Sequence, residues 1–171
     1  MIVAANWKMN LSVNEAIELS NGLLKYNDIF FEEKIIIFPS FLIIPDISKL
    51  YKNSKISIGA QDCSIYNNGA FTGQVSAKMI RDVGCKYVII GHSERRSLCQ
   101  ETSSIVSLKA VKAISAGLKV IICIGENSKD REKGDYLFVL ENQLKQSLSD
   151  ISSDSNPVSY THLTLPTIRE V

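Results

Sequence analysis

Short apolar runs alternate along the chain with longer amphipathic segments. Five runs consist mainly of apolar and β-branched residues, as is typical of strands buried on both faces of a parallel sheet. They occupy residues 2–5, 34–38, 55–60, 86–90 and 118–123. Between and after them, apolar residues recur at helical spacing near 16–23, 43–50, 75–82, 102–115 and 133–149. The pattern predicts five successive βα units.

Capping residues predict where helices begin and end, and the spacing of apolar residues predicts which helix faces point inward. Ser12 and Glu15 form a capping box, and Gly84 and Gly117 are expected to end two of the helices. The first helix should bury Ala16, Leu19 and Leu23. The helix at 102–115 should bury Ile105, Leu108, Val111 and Ile114, and the last one carries Leu137, Leu140, Leu144 and Leu148.

Repeated βα units predict an α/β domain with a parallel sheet and flanking helices. A doubly wound open sheet and a (β/α)8 barrel both begin in this way, so the pattern alone does not choose between them. We expect one domain over residues 1–151. Residues 152–171 are polar, contain two prolines and lack a helical period, which predicts a tail of low order.

Charge, apolar stretches and cysteine spacing limit which binding partners and which cellular compartment we expect. Nineteen Lys and Arg against eighteen Asp and Glu give a net charge of +1, which offers no support for a nucleic-acid or anionic-membrane partner. The longest apolar stretch, residues 35–44, is interrupted by Pro39 and is too short to span a bilayer. The four cysteines have no Cys-x-x-Cys spacing, and the N-terminus has no evident signal peptide, so we expect reduced thiols in the cytoplasm and no metal site.

One histidine stands at the carboxyl end of a predicted buried strand. Gly91 permits a turn, His92 follows it, and Ser93 and Glu94 can open a short helix whose first N–H groups face the imidazole. The positive end of a helix dipole disfavours imidazolium, so this placement predicts a neutral ring. A histidine in isolation is more often a packing or surface residue. Ligands bind at the carboxyl ends of parallel strands, however, which favours a functional role for His92.

Three other segments should end at the same edge of the sheet. Asn6 and Lys8 follow the first strand, where an amide and an ammonium can meet an anion. Residues 59–62 and the glycine-bracketed segment 69–73 follow the third strand, and residues 123–126 follow the fifth. Each also has a plainer interpretation: a surface lysine, a connecting loop or a core cysteine.

Taken together, these motifs resemble the triose-phosphate isomerase family. The matching motifs are Ala5-Asn-Trp-Lys8, Gly59-Ala-Gln61, Gly69-Ala-Phe-Thr-Gly73, Ile90-Gly-His-Ser-Glu-Arg-Arg96 and Cys123-Ile-Gly-Glu126, in the family's order and spacing over about residues 1–149. The resemblance implies a truncated (β/α)8 barrel of about five units. It also implies the glycolytic and gluconeogenic interconversion of dihydroxyacetone phosphate and glyceraldehyde 3-phosphate through an enediolate, without a metal or organic cofactor.

The resemblance also assigns roles to residues. His92 would act as electrophile and proton shuttle, Lys8 would attract the phosphate and stabilise charge on the substrate oxygen, and Asn6 would orient that oxygen. The neutral histidine is a known property of this family and is carried over here. Glu94 would contact Lys8 and the reacting region. Ser93 would support the histidine turn, and Thr72 lies on a loop that in the family enters a neighbouring subunit, which implies a homodimer.

The resemblance fails at the C-terminus. The family's catalytic base is a glutamate after strand six, followed by a mobile lid and glycine-rich phosphate turns, and no matching segment occurs here. Glu170 and His162 are expected to be tail residues, because a base must be held within hydrogen-bond reach of its proton. Gln74 stands where the family usually has glutamate, which puts one loop salt bridge in doubt. We expect a truncated gene model with a foreign end, and a chain that is poorly soluble and inactive as written.

Two other interpretations remain. The chain can be a non-catalytic half-barrel that serves as a binding or interaction module, or a doubly wound phosphate-binding protein with accidental motif matches. Genomic sequence beyond codon 156 would distinguish the module from the enzyme. A glycine-rich fingerprint after the first strand would favour the doubly wound protein, but Asn-Trp-Lys-Met stands there.

Overall fold

A computed structural model of the chain describes residues 2–27 and 34–151. The predicted tail, including His162 and Glu170, lies outside these ranges, so the proposed domain limit stays a prediction. No helix in the described ranges is both long and apolar enough to cross a membrane. The strands are β1 (Ile2–Asn6), β2 (Lys34–Phe38), β3 (Ser57–Ala60), β4 (Tyr87–Ile90) and β5 (Lys119–Ile122). The helices are α1 (Val13–Leu24), α2 (Ile44–Leu50), α3 (Ala77–Asp82), α4 (Ser93–Leu98), α5 (Ser103–Ser115), α6 (Ser128–Lys133) and α7 (Tyr136–Ser147).

The five strands form one parallel sheet in which spatial order follows chain order, β1-β2-β3-β4-β5. Each neighbouring pair is parallel, as in the register that sets Ala5 opposite Ile37 and Ile90 opposite Ile122. A doubly wound sheet reverses its strand order at a switch point, whereas a (β/α)8 barrel keeps the strands consecutive. The observed order is therefore that of a barrel, and the doubly wound alternative is wrong.

Both faces of the sheet carry buried apolar side chains. One face packs against the helices through residues that include Ile37, Val88 and Val120. The other face holds a separate cluster formed by Ile36, Phe38, Tyr87, Ile89, Ile121 and Cys123. Such a filled inner layer is what a barrel interior requires, and it explains why the strands are continuously apolar rather than alternating.

Two helices turn a different face inward from the one predicted. In α1, Ala16 and Ser20 are buried while Leu19 is 43% exposed. In α5, the buried face includes Val106, Ala110 and Ala113, and Leu108 is 42% exposed. Small side chains allow close helix packing, and the burial of Lys109 by acidic partners fixes the rotation of α5. The largest apolar residues alone were therefore a poor guide to the inward face.

The last predicted helix, at residues 133–149, corresponds to α7, and a short helix that was not predicted, α6, precedes it. An Asn127 capping box begins α6, and Gly134, with φ +80°, ends it in the left-handed conformation that glycine adopts without strain. The chain then begins α7 at Tyr136. Leu137 is 67% exposed, contrary to the prediction, whereas Leu140, Leu144 and Leu148 are half-buried. Helix α7 packs against α5, and its residues 136–138 are exposed whereas Ser147 near its end is buried.

Candidate active site

The carboxyl ends of β1 and β4 bring three of the predicted residues together. Asn6 is the last residue of β1, Lys8 follows two residues later, and His92 follows the turn after β4. Glu94 joins the two segments. One of its carboxylate oxygens lies 2.7 Å from Lys8 Nζ and the other 3.4 Å from His92 Nδ1. The ammonium and the imidazole therefore lie on the same rim of the sheet.

His92 is the N-cap of α4. Its Nδ1 accepts a hydrogen bond from the backbone N–H of Glu94 at 3.2 Å. A ring nitrogen that accepts a hydrogen bond carries no proton, so this contact favours the neutral tautomer with its proton on Nε2. The short helix predicted at Ser93 and Glu94 is thus present, and the Glu94 N–H of its first turn faces the ring.

Lys8 has a left-handed backbone conformation, with φ +53°, that its neighbours hold in place. Its N–H donates to Asn6 Oδ1 at 2.9 Å. Its carbonyl oxygen accepts a hydrogen bond from Gln61 Nε2 at 2.8 Å, and the same amide donates to the Phe38 carbonyl, also at 2.8 Å. Gln61 was recognised only as part of a motif, and its bridging role follows from the tertiary structure.

The ion pair between Lys8 and Glu94 is a positioning contact more than a stabilising one. Their side chains are 40% and 49% exposed. Solvent screens charges at such exposure, and pairs of this kind contribute about 0–1 kcal/mol to stability. The pair nevertheless holds the Lys8 ammonium beside the His92 ring, where an incoming anion can replace or share the carboxylate.

A buried cluster of charges lies behind α4. Arg95 contacts Glu101 at 2.6 Å and Asp62 at 3.0 Å, while Lys109 Nζ contacts both carboxylates, reaching Asp62 at 2.7 Å. Burial raises the pKa of the Asp62 carboxyl, and the attraction of Lys109 opposes that shift only in part. This cluster, which the sequence did not predict, ties the end of β3 to α4 and α5.

The segment after β5 forms the next part of the rim. Gln143 Oε1 accepts a hydrogen bond from the Gly125 N–H at 3.0 Å, and Gln143 Nε2 donates one to the Gly125 carbonyl at 2.9 Å. Glu126 accepts a hydrogen bond from Arg131 at 3.0 Å. A cavity of about 500 Å³ lies between this segment and α4, with Glu94 on its wall. Cys123, at the base of the segment, is buried, and burial raises its thiol pKa to about 11.

Thr72 and Ser93 occupy the places that the motifs predict, and their roles remain predictions. Thr72 is exposed on the loop after β3, beside Phe71, whose ring stacks on Tyr66 with centroids 3.6 Å apart. Ser93 is the exposed first residue of α4. Within the described ranges, no group of three or more His, Cys, Asp or Glu side chains is arranged to hold a metal ion.

Comparison with known proteins identifies the family to which these features belong. A sequence model of triosephosphate isomerase matches residues 1–160. The triosephosphate isomerase of Lawsonia intracellularis is 44% identical over 154 residues, covering 90% of this chain and 61% of that protein. The enzyme of Aquifex aeolicus is 35% identical over 161 residues, covering 94% of this chain and 65% of that protein.

The structural comparison agrees. The crystal structure of triosephosphate isomerase from Bartonella henselae superposes with a TM-score of 0.79 at 34% identity, covering 88% of this chain and 62% of that one. The prediction of a truncated (β/α)8 barrel is confirmed. The chain spans about 60% of the length of several curated relatives that it matches. From the matched sequence, the strand order and the superposition, we conclude that the chain belongs to the triosephosphate isomerase family.

Proposed function

We propose that this chain supplies the electrophilic part of a triose phosphate isomerase site, acting on dihydroxyacetone phosphate and glyceraldehyde 3-phosphate. The observation that carries the proposal is that Glu94 contacts both groups: its carboxylate pairs with Lys8 Nζ and its backbone N–H donates to His92 Nδ1, which sets a cation and a hydrogen-bond donor on one rim. Family membership supplies the substrate class.

The chemistry follows from what these groups can do. A base takes a proton from the carbon next to the substrate carbonyl, and the electron pair of that C–H bond moves toward the carbonyl oxygen, giving an enediolate. The Nε2–H of His92 donates to that oxygen, while the Lys8 ammonium stabilises its growing negative charge. The Asn6 amide orients the oxygen, and its Oδ1 meanwhile holds the Lys8 backbone. The base itself is not assigned to a residue of this chain.

We also propose that the working assembly is a homodimer located in the cytoplasm. The loop at residues 66–73 supports the first point, because Phe71 and Tyr66 stack on each other and yet remain 38% and 44% exposed. Thr72, an exposed residue of this loop, would brace Asn6 and His92 of the second subunit. Four unpaired thiols, three of them buried, support a reducing compartment.

A chimera tests the catalytic proposal. Residues 1–151 of this chain are joined to the remaining C-terminal part of the Lawsonia intracellularis enzyme, and turnover of dihydroxyacetone phosphate is followed by a coupled assay. We expect activity in the chimera and none in the 171-residue chain alone. Replacing the acid–base group in His92→Gln should lower kcat by about 10²–10⁴-fold. Lys8→Met should lower it by about 10²–10³-fold, since a charge-stabilising donor is lost.

Lys49→Met is the matched control. Lys49 lies on α2, and within the described residues its exposed ammonium pairs with Asp46 at 3.9 Å, so its loss should leave turnover within about twofold. A folded chimera that is no more active than its His92→Gln variant would contradict the proposal and would favour the non-catalytic binding module.

A further inference from the structure

We propose that Arg96 is a positioning residue that sets the orientation of His92, by fixing the turn after β4 against the end of β5. The inference rests on the proposed function only in taking His92 as the group that must be oriented. Arg96 follows the histidine by four residues, and its half-buried side chain reaches the ends of β4 and β5.

The guanidinium of Arg96 joins four elements of structure. Its Nε donates to the Gly91 carbonyl at 2.8 Å, and its Nη2 donates to the Cys123 carbonyl at 3.2 Å. Its remaining contacts are to the hydroxyl oxygens of Ser103 at 3.0 Å and Ser147 at 3.3 Å. One side chain therefore connects the ends of β4 and β5 to α5 and α7.

Arg96 holds the peptides on both sides of His92. The Gly91 carbonyl that accepts from its side chain belongs to the Gly91–His92 peptide, and the Arg96 backbone N–H donates to the His92 carbonyl at 3.0 Å. Gly91 has φ +67°, and a Cβ there would lie 2.9 Å from Arg96 Nη2 and 2.9 Å from Val106. The guanidinium thus occupies the space that a side chain at position 91 would need. Gly91 and Arg96 together determine the position of the His92 ring.

The chemistry of the contacts argues against a purely stabilising role. None of the four acceptors is a carboxylate, and burial lowers the pKa of Arg96. Taking a guanidinium out of water without a directly bonded counter-ion is costly, and an apolar side chain of similar size would fill the space more cheaply. The adjacent Arg95 is different, because it pairs directly with Asp62 and Glu101. Unlike an apolar residue, Arg96 offers a planar guanidinium fork whose N–H donors point in fixed directions.

The tautomer of the His92 imidazole shows whether Arg96 orients the ring. The chain has two histidines, His92 and His162, so spectra of the ¹⁵N-labelled imidazoles of the 171-residue chain are simple, and His162→Gln assigns them. We expect wild-type His92 to show the Nε2–H tautomer. In Arg96→Met the ring should sample both tautomers, because the turn that aims Nδ1 at the Glu94 N–H is released. Arg96→Lys, which keeps charge but not the fork, should not restore the wild-type spectrum.

Arg95→Met is the matched control, since it removes an arginine of the same helix and lowers stability without touching Gly91. Its His92 tautomer should match the wild type. If Arg96→Met does not fold, the double variant Ser103→Ala and Ser147→Ala removes two of the four acceptors and should shift the tautomer in part. The inference is overturned if Arg96→Met, or the double variant used in its place, folds and leaves the His92 spectrum unchanged. It is also overturned if Arg95→Met shifts the His92 tautomer equally.

The tautomer is read without turnover, so this result and that of the isomerase assay can differ. In the chimera, Arg96→Lys should lower kcat by about tenfold while KM changes by less than about twofold, because a displaced catalytic group loses interactions made only in the transition state. A chimera without activity but with the expected tautomer shifts would contradict the proposed function and leave the positioning role standing.

Discussion

The side-chain amide of Gln61 donates a hydrogen bond to the carbonyl oxygen of Lys8 at 2.8 Å, although 53 residues separate them in the chain. The second N–H of the same amide is used by the Phe38 carbonyl. The ends of β1, β2 and β3 are thereby linked through one residue, and Lys8 is held in a backbone conformation that costs a non-glycine residue about 1–3 kcal/mol.

Gln61→Met should therefore disturb Lys8 as well as stability. Loss of both donors should lower the free energy of unfolding by about 1–3 kcal/mol, measured by urea denaturation, because the half-buried carbonyls lose their partner. The backbone amide signal of Lys8 should also move in NMR spectra. Gln143→Met is the control, since Gln143 likewise makes two hydrogen bonds, both to Gly125. A shift of the Lys8 signal in the control alone would contradict this account.

Gly59→Ala should destabilise the sheet. The added Cβ would lie 2.2 Å from a ring carbon of Phe38 and 2.9 Å from Cβ of Tyr87, both of them buried, so neither can move without opening the inner layer. Overpacking of this kind costs about 1–3 kcal/mol. Gly22→Ala, on α1, meets nothing within 4 Å and should stabilise by about 0.5–1 kcal/mol. Thermal unfolding of both variants checks the contrast, and equal changes would argue against it.

Asp62 should make stability fall as the pH rises. Burial raises its pKa above the ordinary value of 3.8, so between 3.8 and the raised value the unfolded chain has lost a proton that the folded chain keeps. The unfolding free energy of wild type minus that of Asp62→Asn should therefore decrease from about pH 3.5 to pH 7, measured in urea.

Glu15 provides a control of opposite sign. The backbone N–H of Ser12 and the Ser12 hydroxyl lower the pKa of its carboxyl, so Glu15 stabilises above the unfolded value of 4.5 and that contribution is lost as the pH falls. The unfolding free energy of wild type minus that of Glu15→Gln should therefore increase from about pH 3.5 to pH 7. Two differences of the same sign would contradict the assignment.

Cys99 should be the reactive thiol of the folded chain. Burial raises the pKa of Cys63 and Cys85 to about 12 and that of Cys123 to about 11, which keeps these thiols protonated and also out of reach. Cys99 is exposed after α4. At about pH 8, iodoacetamide should label Cys99 alone before denaturation and all four cysteines afterwards, as read by peptide mapping. The native Cys99→Ser variant should take up no label; rapid labelling of Cys123 in the wild type would contradict the structure.

Local signals were sufficient for the five strands and for most of the helices, although α6 was not predicted. The Ser12 capping box, the left-handed glycines Gly84 and Gly117, and the five apolar runs all lie where the sequence placed them. The inward faces of α1 and α5 were less predictable, because Leu19 and Leu108 are apolar yet exposed. The rotation of a helix depends on what packs against it. For α5, the buried Lys109 pairs with the nearby Glu101 and with Asp62, which is 47 residues away in the chain.

By itself the sequence determined that βα units repeat, that a histidine ends the fourth strand, and that a lysine follows the first. Periodicity, capping and glycine positions are properties of neighbouring residues, so they can be read locally. The family resemblance implied a contact of Glu94 with Lys8, which the structure contains. Only the tertiary structure decided that the strands run in consecutive order, that the Glu94 N–H meets the His92 ring, and that Gln61 and Arg96 hold those segments in place. These contacts join residues up to 86 positions apart, and packing of the whole sheet, rather than any local preference, brings them together.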